Sequence, residues 1–201
     1  MSVVRLRPHV QGDLDGACGF YAIVNALRLL EPELDGEELF KFAIRGFLES
    51  GNPMAIVEGT RRGAIKNTLS RTIASVHSEF LLNSGDGTPY RFGFNIPYWQ
   101  SMPSGRAEVI SHLETLGPAK GVVAIFAYEK WQDKADPDER YAHWSVISKL
   151  HDGELHTFDS SGEQKRIPLR SVRFDDQREI AHATRPYNLW SKYLILVHRF
   201  G

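Results

Sequence analysis

Directly behind the turn-forming pair Asp15-Gly16, the apolar residues Phe20, Ile23, Val24, Leu27 and Leu30 recur at helical spacing. The only cysteine in the chain, Cys18, stands at that junction. The pattern predicts a helix from Cys18 to Leu30 with the sulfur in its first turn. There the backbone N–H groups lack intrahelical acceptors and the helix dipole is positive, and both favour a thiolate over a thiol. A lone cysteine cannot form an internal disulfide, so no oxidising compartment is implied.

Helical patterns continue through the first 120 residues. Asp35 followed by Glu38 is a capping box that opens a second helix, with Leu39, Phe40, Ala43 and Phe47 on one side. A third covers roughly Arg62 to Phe80 along the stripe Ile65, Leu69, Ile73 and Val76. Residues 83–105 hold four glycines and three prolines and read as a long surface loop or lid. A short helix from about Arg106 to Leu116 stops at Gly117-Pro118. Strand patterns follow: the apolar run Gly121 to Tyr128, then His143 to Leu150 and Glu154 to Asp159 around His151-Asp152-Gly153. Arg166 to Phe174 and Tyr193 to Val197 are expected to complete an antiparallel meander. Helices first and strands second predict an α+β fold. It reads as one domain over 1–201, with a helical lobe at about 11–117 and a sheet lobe at about 121–201.

The chemistry-bearing residues lie at opposite ends of this order. A thiol nucleophile needs an imidazole from another part of the chain, and His143 opens a strand that would hold it rigidly. Asp159 orients the imidazole only if it lies on the same face as His143. A two-residue hairpin loop makes paired residue numbers sum to 305 and turns Asp159 away. A three-residue loop with Gly153 left-handed, or an equivalent bulge, makes them sum to 304 and places Asp159 opposite Ser145. The three-residue loop is therefore expected. Gln11, seven positions before Cys18, can fold back and donate its side-chain N–H beside the backbone N–H of Cys18, forming an oxyanion hole. Each residue also has a plain structural reading. Cys18 can be an inert core thiol and His143 a satisfied core histidine. Gln11 can be a surface residue. Asp159 can cap the Ser160-Ser161-Gly162 turn, leaving Asp133, Asp136 or Asn95 to orient the ring.

The segments Gln11…Cys18-Gly19, His143-Trp144 and Phe158-Asp159-Ser160 resemble the papain-like cysteine peptidase superfamily, nearest to the bacteriocin-processing and related papain-like peptidases of bacteria. The resemblance covers about 20 residues at the N-terminus and about 20 around the hairpin. It implies an α+β papain-like fold, catalytic Cys18, His143, Asp159 and Gln11, hydrolysis of an amide in a protein or peptide, and no cofactor. The same triad serves a glutamine deamidase or a transglutaminase-type acyltransferase, and a papain-fold binding module without activity is the remaining alternative.

Composition narrows the partners. Over 201 residues the net charge is −1, which gives no electrostatic reason to expect nucleic acid or an anionic membrane. One cysteine and scattered histidines give no ligand cluster with zinc spacing, and no metal is expected. No stretch reaches the roughly 20 apolar residues of a membrane span, and Met1 to His9 lacks a secretory signal pattern. The default expectation is a cytoplasmic protein; export as an effector without a cleavable signal would leave the same sequence.

Overall fold

The expected first helix runs Cys18–Leu30 (α1) in the computed structural model, which describes residues 17–49, 53–54, 56, 60–83, 87–103, 105–131, 140–162, 165–174 and 185–201. Its apolar residues are buried nearly all round, including Phe20, Ile23, Val24, Ala26 and Leu27, as suits a helix enclosed between other layers. The second helix, Gly36–Leu48 (α2), is capped as its sequence predicts: the Asp35 carboxylate accepts from the Glu38 N–H at 2.9 Å. Arg62–Glu79 (α3) packs on α2, and Arg106–Glu114 (α4) is the short fourth helix.

Eight strands among the described residues form one sheet: Arg91–Asn95 (β1), Val122–Trp131 (β2), Arg140–His151 (β3), Glu154–Phe158 (β4), Arg166–Pro168 (β5), Val172–Arg173 (β6), Tyr187–Leu189 (β7) and Ile195–Phe200 (β8). The path is β1-β8-β2-β3-β4-β5, and β7 pairs with the later part of β2. Every pairing is antiparallel except β6 with β7. The fold is thus mixed helix and antiparallel sheet. One face of the sheet, carrying Ile125, Ala127, Trp144, Val146 and Val197, shares a core with α1. The other, with Ala124, Phe126, Tyr128, Ile147 and Leu196, is covered by Val109 and Leu113 of α4 and by Tyr98.

Two expectations need correction. Residues 83–105 are not wholly loop, because Arg91–Asn95 forms β1 on the sheet edge beside β8. Tyr90 and Phe92 enter the core, and the Phe92 N–H donates to His77 Nε2 at 3.0 Å, pinning β1 to α3. The alternation Tyr90, Phe92, Phe94 was a strand signal that the glycines and prolines around it outweighed. The strands after β4 are not a simple meander. The stretch 166–174 breaks at the turn Leu169–Ser171, and the last strand inserts between β1 and β2.

Candidate active site

Cys18 is the first residue of α1, and it is 9% exposed. The N-cap Ala17 gives no side-chain cap, and the first turn has no acidic residue, so the helix does not neutralise its own positive end. The Ala17 carbonyl accepts from the N–H groups of Phe20 and Tyr21 at 2.8 and 3.2 Å. The N–H groups of Cys18 and Gly19 come before that first intrahelical bond.

His143 is paired with Tyr128 of β2 and is 4% exposed. The Tyr128 ring meets the imidazole edge-on, with 5.7 Å between centroids. Nε2 lies 3.2 and 3.1 Å from the two carboxylate oxygens of Asp159. Cys18 is the second neighbour whose hydrogen bonding and charge favour the protonated ring. Burial opposes charge on the imidazole, but the hydrogen bonds and negative charges of Asp159 and Cys18 outweigh it, and its pKa is pushed up to about 9.

Asp159 is 3% exposed. Burial works against its ionised form, yet the hydrogen bond and charge of His143 hold the carboxyl well below the usual carboxylate range. The Ser161 N–H donates to Oδ1 at 2.9 Å. The buried Ser145 hydroxyl lies outside strict hydrogen-bond geometry but close enough to favour the charge. Asp159 thus contacts both the His143 ring and the Ser161 N–H of its own turn. Asn95 is engaged by His198 at 2.6 Å and does not take the orienting place. Asp133, Asp136 and Gln11 lie outside the described residues.

The route that brings Asp159 to His143 differs from the expected loop. His151 pairs with Glu154, so the turn is the two-residue Asp152-Gly153, with both residues at positive φ (50° and 71°), as a type I′ hairpin requires. Pairs next to the turn sum to 305, as for Leu150 with Leu155. A bulge between Ile147 and Lys149 then shifts Ile147 to Thr157 and Val146 to Phe158, and the sum becomes 304. Ser148 is the extra residue, and its hydroxyl donates to the His156 carbonyl at 2.9 Å. One inserted residue reverses the facing of all that follows it.

A brace that sequence reasoning missed joins the two halves of the site. The Trp144 indole N–H, beside His143, donates to the Thr60 carbonyl at 3.0 Å. The Thr60 hydroxyl, beside Cys18's neighbour Gly19, would stand 2.6 Å from any Cβ at that glycine, and Ile65 would be closer still. Any side chain at Gly19 would force the Ile65 and Thr60 side chains to shift away from the start of α1. The pair Cys18-Gly19 was visible in the sequence, but no local pattern names Thr60 as its neighbour.

Compared with protein-family models and with curated proteins, the chain matches none. No described helix is long and apolar enough to cross a membrane.

Proposed function

We propose that this protein is a cysteine hydrolase of papain-like type that cleaves an amide bond in a protein or peptide. One observation carries the reading: a buried imidazole that is hydrogen-bonded to a carboxylate and has as its second interacting neighbour a cysteine at a helix N-terminus. An imidazole held up to about 9 is protonated at neutral pH, and an imidazolium beside a thiol stabilises the thiolate.

The Cys18 thiolate attacks the amide carbonyl, and the oxyanion takes the backbone N–H of Cys18, with the Gln11 amide as the proposed second donor. His143 delivers its proton to the departing amine as the tetrahedral intermediate collapses to a thioester. The neutral imidazole then takes a proton from water as the water oxygen adds to the thioester, and the second tetrahedral intermediate expels Cys18 as the thiolate beside the reprotonated His143, releasing the acid. Asp159 stays ionised throughout and keeps the ring in register.

The test is the rate of Cys18 alkylation by iodoacetamide, followed by turnover on a panel of protein substrates. Labelling should be faster in the native chain than in His143→Ala at the same pH, and Cys18→Ala should abolish turnover with the fold intact. Equal labelling rates, or turnover by Cys18→Ala within about tenfold of the native rate, overturn the reading. Ammonia release without chain cleavage would move the assignment to a glutamine deamidase.

A further inference from the structure

Beyond the triad, the leading end of α3 carries a set of cations that the proposed chemistry does not use. The Arg62 guanidinium lies 4.3 Å over the Trp99 ring and 5.7 Å from the Tyr193 ring. Lys66 Nζ lies 5.4 Å over the same Trp99 ring. Arg61 is exposed. Arg62 Nη1 donates to the carbonyls of Lys192 and Tyr98 at 2.9 and 3.5 Å, which leaves Nε and Nη2 of the guanidinium for another acceptor. No ion pair involves Arg61, Arg62 or Lys66 among the described residues.

This ledge reaches the start of the cysteine's helix. Tyr193 packs on Trp144 at 5.6 Å, and the Trp144 indole N–H donates to the carbonyl of Thr60 beside Gly19. At the inner end stands Thr60, whose hydroxyl is buried without a hydrogen-bond partner and aimed at Gly19. Trp99 is 38% exposed at the outer end. Cations stacked on aromatic rings sit in a lower dielectric than water, where a carboxylate is attracted more strongly, and a stacked guanidinium keeps its in-plane donors for bidentate pairing.

We infer that Arg61, Arg62, Lys66 and Trp99 form a substrate subsite selecting an acidic residue on one side of the bond that Cys18 attacks. The inference rests on the amide-hydrolase reading, which makes the occupant a polypeptide.

The experiment uses the full chain as Cys18→Ala, so that binding is read without turnover. Fluorescein-labelled decapeptides rich in Glu or in Lys, and a single-stranded DNA decamer, are titrated by anisotropy at low and high salt. The Glu peptide should bind in preference to the Lys peptide and weaken with salt. It should lose about tenfold in affinity with Lys66→Glu and with Trp99→Ala. Lys149→Glu, the same charge change on the exposed far part of β3, should leave its binding unchanged. Three outcomes overturn the inference: no Glu-over-Lys preference, equal loss with Lys149→Glu, or tighter binding of the oligonucleotide that Lys66→Glu abolishes. Iodoacetamide reactivity of the native chain reports on the hydrolase reading separately, so the two failures are distinguishable.

Discussion

At Asp159 one carboxylate meets two demands. Oδ1 takes the Ser161 N–H, and both oxygens face His143 Nε2. An amide keeps one acceptor oxygen, which His143 Nε2 and the Ser161 N–H can share at the Oδ1 position, but loses the charge. Asp159→Asn should therefore slow turnover less than His143→Ala, which removes the proton carrier and a factor of about 10²–10⁴. Equal, total loss in both would assign the aspartate to the turn alone. The His143 proton also sets a pH limit. Turnover should fall as pH rises through about 9, because the neutral ring has no proton for the leaving amine. Stability follows the same sign: the folded imidazole holds its proton to about 9 against an ordinary 6.5, so folding gains stability below the lower value and loses it as pH climbs to the upper. The urea midpoint should decline across that window in the native chain and more weakly in Asp159→Asn.

The hairpin of β3 and β4 shows how an element can aim a residue. Its turn is legible from Asp152-Gly153, because both positions take positive φ that Asp and Gly tolerate. The bulge at Ser148 is not, since the apolar alternation of a strand buried on both faces scarcely changes when one residue is inserted. Chemical logic demanded a shift in register; only the folded hairpin located it. Because Ser148 is the unpaired residue, deleting it should straighten the strand while leaving Ile147 opposite Thr157 and Asp159 opposite Ser145, so turnover should stay within about tenfold of the native rate. Circular dichroism should show the helices unchanged. Loss of turnover as far as in His143→Ala, in a folded deletion, would show that Ser148 does more than offset the register.

For the whole molecule, closure depends on the C-terminal strand. β8 lies between β1 and β2 and buries Ile195, Leu196 and Val197. Arg199 donates to the Leu30 carbonyl at 3.0 Å and to the Glu31 carboxylate at 2.9 Å, so the last strand also ties down the end of α1. Burying three aliphatic side chains contributes about 1.5–3 kcal/mol each, a large share of the roughly 5–15 kcal/mol that holds a domain together. Removing residues 195–201 should abolish cooperative thermal unfolding; a truncated chain with a sharp transition would contradict this topology.

The helix behind Cys18, the Asp35 cap, the stripe of α3 and the strand content from Val122 onward were all present in local periodicity, because each depends on neighbours a few positions away. So were the residue types of the site: a thiol at a helix start, an imidazole opening a strand, and a carboxylate after the next. The tertiary structure decided the insertion of β8, the pairing of β1, the bulge at Ser148, and the Thr60 brace beside Gly19. A repeat of apolar residues says which side of an element avoids water, but not which distant element will cover it. That choice is made when the chain as a whole closes its core.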